Sequence, residues 1–515
     1  MEKFFKRPWV VVGAIAVITA FFALQLPRVE LDNDATGFIP EDNEAYLISE
    51  HLEEVYGEDE GVVMFVGLER KQGTVFDQAF LSRLREFTDA VEDISIVEEA
   101  ASILTMPYIT GKDDSIIVAD LVDDDFTGTP AEIAELKRRL SSWDLYKGQL
   151  VSDNFSATQV IINLNIATED LMRDDVNADV ANIRKTANTM FDGLATVYLA
   201  GQPVMTDTTN NAMMTDLTVL IPLVLVVILA VLLFSFRRWT FVALPLLTVV
   251  VAVIWAMGAM PLLGFKMSFM MVILPIILIA VGSAYSIHVV SHYLDAVKGQ
   301  TLSRDEHREF VFSVLRKVLK PVLLAALTTM AGFVSFCFTY LVPMRSFGYF
   351  SCFGVAVALL AAITLIPALL LIRGPEKERV VKKAKEKKLS RLDTALGDIF
   401  TAIAGKKAAV LAITAVVLAV SIYGLSKVVV DSSMVEFFSD DSDISRSDRF
   451  IREYFGGSTQ LTLSVEADTT EALLNPRTLT ALDDLAVYLT ERVPHVGKVA
   501  GFTDMIKRMN QLFNR

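Results

Sequence analysis

The sequence predicts a polytopic α-helical membrane protein with about seven transmembrane helices, an α+β extracytoplasmic domain of βαβ units, and an incomplete second copy of that domain. Three observations predict this fold class. Of the 515 residues, 53% are hydrophobic and only 21% are charged, which is too apolar for a soluble protein of this size. The hydrophobic residues are concentrated in blocks, and a segment that follows the first block is repeated after the last.

This internal repeat sets the domain organisation. Residues 29–57 read VELDNDATGFIPEDNEAYLISEHLEEVYG, and residues 428–456 read VVVDSSMVEFFSDDSDISRSDRFIREYFG. Each copy follows an apolar stretch, and Asp32 of the first copy is in register with Asp431 of the second. We therefore expect two parallel halves. The chain ends before the second copy reaches the point at which the first is complete, so we expect a truncation in the second half.

Seven apolar stretches have the length that a transmembrane helix needs, about 20 residues. They comprise residues 9–26, 217–236, 239–263, 267–290, 321–342, 347–372 and 408–425. The first stretch has the basic start of a signal peptide, but no small-residue cleavage site follows it. We therefore expect it to remain as an uncleaved first helix.

Basic residues in the loops predict the orientation of these spans in a cytoplasmic (inner) membrane. Lys3, Lys6 and Arg7 precede the first span, Arg237 and Arg238 follow the second, and the run ERVVKKAKEKK precedes the seventh. All of them fall on one side if the spans alternate. The amino terminus is therefore expected in the cytoplasm and the carboxyl-terminal segment outside it.

The spans divide the chain into six segments. These are residues 1–26 (cytoplasmic start and first span), 27–216 (extracytoplasmic domain), 217–372 (five-helix transmembrane block), 373–407 (basic cytoplasmic connector), 408–425 (seventh span) and 426–515 (partial second extracytoplasmic domain). The net charge of −15 is concentrated in the large outer domain, in stretches such as GEDEG and LVDDDF. An acidic exterior disfavours nucleic acid and anionic headgroups as partners.

The outer domain alternates short β-rich runs with amphipathic helical stretches, the α+β pattern of βαβ units. The β-rich runs comprise residues 61–68, 115–121, 157–166 and 195–200, and the helical stretches comprise residues 76–94, 130–140 and 169–191. The second copy restarts this pattern with a β-rich run at 460–466 and a helical stretch at 476–492.

Four local motifs carry a family resemblance over the whole chain. They are TTMAGF at 328–333, the stretch at 347–372 that ends in Pro-Ala-Leu-Leu, GFIPEDN at 37–43 and AGQPV at 200–204. In this order the chain resembles the resistance-nodulation-division (RND) superfamily, in its MmpL-like branch of lipid and hydrophobe exporters. Its five-helix block is similar to the sterol-sensing-like region of that superfamily. The resemblance implies export driven by an ion gradient.

The fourth span reads MSFMMVILPIILIAVGSAYSIHVVSHYLD. Proton-coupled relatives carry a mid-membrane Asp in the motif G-x-x-x-D-Y, and Ala284 stands at that position here. Tyr285, His288 and His292 follow at i, i+3 and i+7, within about 60° of one another on a helix, and we expect this stripe to point into the bundle. Because His titrates near pH 6.5, the stripe could relay a proton. The alternative is that these rings only form hydrogen bonds between helices, or that His292 reaches the cytoplasmic interface.

Pro275 and Gly282 lie in the same span and are candidates for a break in the helix, which is where transporters build binding sites. The histidine pair at i and i+4 lacks further metal ligands, and the sequence has no catalytic or phosphate-binding motif. We therefore expect no metal, no cofactor and no enzyme activity.

Two functional hypotheses remain. The first is a secondary transporter of lipid-like or amphiphilic molecules, with membrane lipids or hydrophobic small molecules as its partners. The second is a non-pumping lipid sensor or accessory subunit, favoured by Ala284. Either protein could form a homo-oligomer or join a missing second half.

Overall fold

The computed structural model describes residues 6–32, 43–56, 62–112, 115–122, 126–143, 146–297, 302–375, 391–428, 434–459, 461–467, 469–494 and 496–513. These residues fold as two compact units. A helical unit comprises Met1–Asp32 with Thr215–Ser432, and an α+β unit comprises Asn33–Met214 with Ser433–Arg515. The predicted basic run ERVVKKAKEKK and Asp431, the repeat position equivalent to Asp32, lie outside the described residues.

The helical unit is built from long apolar helices. Its elements are α1 (Pro8–Ala23), β1 (Leu31–Asp32), most of α6 (Gln202–Phe236), α7 (Trp239–Leu262), β8 (Met267–Ser268), α8 (Ile273–Val297), α9 (Arg304–Phe336), α10 (Val342–Arg373), α11 (Arg391–Gly405) and α12 (Lys407–Leu425). Six described segments are long and apolar enough to cross a membrane: Pro8–Arg28, Gln202–Phe236, Trp239–Leu262, Phe269–Val297, Val342–Arg373 and Lys407–Leu425. The chain is therefore a polytopic helical membrane protein.

Of the seven spans predicted from the sequence, the fifth, at residues 321–342, is not among the six. The structure places most of it in the second half of α9, a continuous helix of 33 residues. The first half of α9 is amphipathic, from the capping box of Ser303 and Glu306 through a series of charged residues up to Lys320. Only the part of α9 that begins at Pro321 is apolar, so the helix combines a polar half with a shorter hydrophobic half.

Glycines allow the helices of this unit to approach closely. A Cβ atom built on Gly258 of α7 would lie 2.3 Å from the carbonyl oxygen of Phe22 in α1. A Cβ atom built on Gly354 of α10 would lie 2.5 Å from Leu278 of α8. A larger residue at Gly258 would push the backbones of α7 and α1 apart, and one at Gly354 would collide with the Leu278 side chain. The two glycines therefore permit the close spacing of α1 with α7 and of α8 with α10.

The α+β unit contains one four-stranded sheet. Its elements are α2 (Glu44–Tyr56), β2 (Val62–Arg70), α3 (Gln78–Glu92), β3 (Val97–Ala101), β4 (Pro107–Lys112), β5 (Ser115–Asp120), α4 (Pro130–Leu140), β6 (Ala157–Leu164), α5 (Asp174–Met190), β7 (Ala195–Gly201), the start of α6, α13 (Asp443–Phe455), α14 (Thr470–Leu473), α15 (Pro476–Arg492) and α16 (Phe502–Phe513). The sheet order is β3-β6-β2-β7 with antiparallel neighbours, while β4 and β5 form a separate hairpin.

This strand order makes two split βαβ units. The pair β2 and β3 is joined through α3 with β6 between the strands, and the pair β6 and β7 is joined through α5 with β2 between them. The βαβ pattern predicted from the sequence is therefore present. The strands β3 and β4 were not predicted, because the polar residues of VEEAA and PYITGK conceal their alternation.

Local signals explain where the helices of this unit begin. The Asp77 side chain accepts a hydrogen bond from the Phe80 backbone N–H at 3.2 Å and caps α3. A capping box of Thr129 and Glu132 begins α4 at Pro130. The buried face of α3 carries Phe80, Leu84 and other apolar residues at helical spacing, and these residues pack into the core beneath the sheet.

The duplication is visible in helix bounds. The register that aligns Asp32 with Asp431 also aligns the first and last residues of α2 with those of α13, and each helix has 13 residues. Helix α13 packs on β7 and β2 of the first copy. There the Leu199 backbone N–H donates a hydrogen bond to the Ser447 hydroxyl at 3.1 Å.

The rest of the second copy agrees only in part with the prediction. The predicted helix is present as α15, with the same bounds, Pro476–Arg492. The predicted β-rich run at 460–466 is wrong for its described part, because residues 461–467 form no strand. Helix α16 packs beside β4, where the buried Arg508 guanidinium donates hydrogen bonds to the carbonyl oxygens of Ser142 at 2.9 Å and Ile109 at 3.3 Å.

Candidate functional site

The predicted stripe of the fourth span lies on α8, at the boundary between a buried and an exposed face. Tyr285 is buried with 3% of its surface exposed, and its hydroxyl has no hydrogen-bond partner among the described residues. His288 and His292 are exposed, as is Ala284. The expectation that the whole stripe points into the bundle is therefore wrong for the two histidines. An arc of about 60° is wide enough to cross the edge of a packed helix face.

The two histidines face a small cavity against α9. The cavity has a volume of about 70 Å³ and is lined by His288 and His292 from α8 and by Val318, Pro321, Val322 and Ala325 from α9. Apart from the two imidazoles its walls are apolar. The structure therefore brings His288 and His292 together, while Tyr285 lies on the buried side of the same helix. No third metal-ligating side chain joins the two histidines among the described residues.

The fourth span shows no helix break at either candidate. Helix α8 is continuous from Ile273 to Val297 and passes through Gly282. Pro275 lies in its first turn, where the missing N–H is tolerated, and the irregular backbone comes earlier, in a 3₁₀ turn at Phe269–Val272. Gly282 instead permits close packing, because a Cβ atom there would lie 3.2 Å from Ala358 of α10. The predicted break at these residues is therefore wrong.

Sequence reasoning missed a buried polar pair at one end of α8. The Tyr293 hydroxyl and the His307 Nε2 atom are 2.8 Å apart, and both side chains have 1% of their surface exposed. A signal for His307 was available: it lies in the buried stripe of α9 at i, i+4 and i+8 with Val311 and Leu315. A histidine in an apolar helical stripe predicts a hydrogen-bond partner within the core.

Two further polar contacts join helices of this unit. The Thr248 and Ser286 hydroxyls are 2.6 Å apart, both buried, and link α7 to α8. The Trp255 indole N–H donates to the Thr19 hydroxyl at 2.9 Å and links α7 to α1. Contacts of this kind fix helix positions within hydrocarbon, where polar groups lack water.

The fold and this site define a class of protein: a polytopic helical membrane protein with a split βαβ domain inserted after its first span and polar side chains on the fourth. A family comparison agrees with that class. The chain belongs to the MMPL family, whose model matches residues 44–395. The resemblance to the MmpL-like branch of the RND superfamily is thereby confirmed.

Two curated relatives are similar to this chain. The putative membrane protein MJ1562 of Methanocaldococcus jannaschii is 22% identical over 389 residues, which cover 74% of this chain and 94% of that protein. The probable transport protein MmpL10 of Mycobacterium leprae is 30% identical over 154 residues, which cover 29% of this chain and 15% of that protein.

Proposed function

We propose that this protein is a secondary transporter that moves lipid-like or amphiphilic molecules out of the cytoplasmic membrane, with its α+β unit on the extracytoplasmic side. The family match carries this proposal, because it extends over residues of both the α+β unit and the helical unit. A relative named as a probable transport protein supports it. The basic residues at the amino terminus support a cytoplasmic start.

The energy source proposed is a proton gradient, with His288 as the titrating group. The fourth span has Ala284 where a carboxylate would titrate, and His288 lies one helical turn away on the same exposed face. His288 shares its cavity with His292, so a proton could pass between neighbouring imidazoles without crossing the packed interior. Tyr285 has a secondary role at most, since its hydroxyl lies on the buried side.

The test is uptake of a fluorescent amphiphile by proteoliposomes under an imposed pH gradient, using the full chain. His288→Ala is expected to reduce gradient-driven uptake to the level of empty liposomes, and His288→Asp to restore part of it, because a carboxylate also titrates. His292→Ala is the matched variant and is expected to lose less, because His292 lies one turn nearer the end of α8, where water can replace its imidazole. Undiminished pH-driven uptake by His288→Ala would refute the relay.

The non-pumping alternative rests on a separate observation, the replacement of the mid-span carboxylate by Ala284. A lipid sensor or accessory subunit would bind the same amphiphile without accumulating it under any gradient. Saturable binding by the unaltered protein, together with uptake no greater than that of empty liposomes under any gradient, would favour this alternative over the transporter.

A further inference from the structure

The α+β unit contains an open cavity beside the edge strand β7. Its volume is about 570 Å³, within the range of roughly 300–1,000 Å³ that is usual for small-molecule sites. Its walls come from β7, the end of α5, the start of α6 and the first turns of α13. Helix α13 belongs to the second sequence copy, so the cavity forms only where the two copies meet within this unit.

Three basic side chains line the cavity, each from a different element. Lys71 follows β2, Arg184 comes from α5, and Arg446 comes from the second turn of α13. The net charge of the chain is −15 and disfavours anionic partners on average. Three cations that converge on one cavity are a local exception to that average.

Arg184 is held in position by a buried carboxylate. Its guanidinium Nη2 atom lies 2.8 Å from Oδ2 of Asp207, whose side chain is 6% exposed. The other carboxylate oxygen of Asp207 accepts a hydrogen bond from the Asn211 amide at 2.9 Å. A fixed planar guanidinium of this kind has donors left over for a second anion.

Arg446 is available to a ligand for a different reason. It pairs with Asp443 one turn earlier on α13, and both side chains are more than half exposed. Exposed pairs of this kind contribute little, because water and salt screen them. A ligand anion can therefore replace Asp443. Asp192 and Asp443 also line the cavity, so with Asp207 three carboxylates balance the three basic side chains. A ligand that replaces Asp443 therefore supplies one negative charge, which suits a singly charged head rather than a polyanion.

Part of the remaining wall is apolar. Ala195, Val197, Leu199, Val204 and Ile444 line the cavity together with the charged side chains. Apolar side chains beside a few convergent polar groups are the composition that recognises an amphiphile: the charged head is bound by hydrogen bonds, and the alkyl chain by burial.

We infer that this cavity binds a single-chain amphiphile with a monoanionic phosphate, sulfate or carboxylate head. The head lies among Lys71, Arg184 and Arg446, and the first part of the alkyl chain lies against Val197 and Ile444. This inference rests on the proposed function and specifies its substrate class. A neutral amphiphile would offer no anion to Lys71, Arg184 and Arg446 and would bind more weakly.

The test is calorimetric binding of octyl phosphate to the full chain in nanodiscs of neutral lipid at about pH 5, where a phosphate monoester carries a single negative charge, with octyl glucoside and inorganic phosphate as comparison probes. Arg446→Glu and Lys71→Glu are each expected to lower the affinity for octyl phosphate about tenfold, because each exchanges an attraction for a repulsion. Lys71→Gln should give a smaller loss. Lys185→Glu has the same charge change on the exposed face of α5 outside the cavity, and it should leave the affinity unchanged.

Three results would overturn the inference. They are equal losses in the cavity variants and in Lys185→Glu, octyl glucoside binding as tightly as octyl phosphate, and inorganic phosphate binding as tightly as octyl phosphate. The last would mean a free-anion site without a chain subsite. The measurement needs no gradient, so its failure is distinguishable from failure of transport: normal octyl phosphate binding without gradient-driven uptake would refute only the transporter.

Discussion

Phe450 is a central contact between α13 and the four-stranded sheet, and Phe450→Ala tests how much it contributes to the docking of the helix. Phe450 is 5% exposed and stacks on Tyr198 of β7, with ring centroids 4.0 Å apart and an interplanar angle of 14°. It belongs to a cluster with Ile451 that is separate from the main core. Burial raises the pKa of Tyr198 to about 12, so its ring stays neutral and the stacking is unaffected by physiological pH.

The size of the effect follows from burial and stacking. Truncating a buried Phe to Ala costs about 3–5 kcal/mol, and a stacked aromatic pair adds about 0.5–1.5 kcal/mol beyond its buried area. The Phe450 ring is buried only while α13 is docked and becomes exposed when the helix detaches. Most of the lost free energy therefore destabilises the docked helix relative to its locally opened state. A loss of about 4 kcal/mol raises the population of the open state roughly a thousandfold.

The assay is maleimide labelling of Ser447→Cys in a background that lacks the two native cysteines. Ser447 is 5% exposed under α13 and should react only when the helix opens. Phe450→Ala is expected to accelerate labelling by roughly two to three orders of magnitude, since the rate follows the open population. Arg449→Ala, an exposed neighbour on the same helix, is the control and should change the rate little.

Gly67 of β2 supplies a second, independent check. A Cβ atom there would lie 2.5 Å from the Phe450 ring, which Tyr198 prevents from moving aside. Gly67→Ala alone should destabilise the docking by about 1–3 kcal/mol through overpacking. In the Phe450→Ala background the added methyl group enters vacated space, so its cost should disappear. Additive effects, or equal labelling rates for Phe450→Ala and its control, would refute the reasoning.

Two further predictions concern packing elsewhere. Gly258→Ala should lower the thermal unfolding midpoint in detergent by several degrees, because its new methyl group meets a main-chain oxygen. Gly332→Ala is the matched helical control, because a Cβ atom there has nothing within 4 Å. A similar fall in the midpoint for Gly332→Ala would contradict the packing argument. Arg508→Met should lower the free energy of unfolding by about 1–3 kcal/mol, because it leaves the Ser142 carbonyl unsatisfied. It should also speed proteolysis beyond residue 494, whereas Arg492→Met, at an exposed position, should leave the proteolysis rate unchanged. Equal proteolysis rates for the two variants would exclude an anchoring role for α16.

Sequence signals predicted the elements whose cause is local. The bounds of α4 and α15 were predicted to the residue, because each begins with Pro after a capping side chain, Thr129 and Asn475 respectively. Most of the long apolar helices were predicted because hydrophobic length alone identifies them. The failures have non-local causes. The helical repeat predicts which residues of α8 share one face of the helix. Which other helices cover that face depends on the packing of distant parts of the chain, and this packing leaves His288 exposed.

The two copies of the repeat give the clearest case of this limit. Helices α2 and α13 begin and end at equivalent positions, yet Ile48 of α2 is 51% exposed while the equivalent Ser447 is 5% exposed. By hydrophobicity alone the isoleucine would be buried and the serine exposed. The serine is buried because α13 meets an edge strand whose Leu199 N–H needs an acceptor, which a serine supplies and an isoleucine cannot. Equivalent sequences therefore form equivalent helices, but the burial of their side chains depends on what each helix packs against.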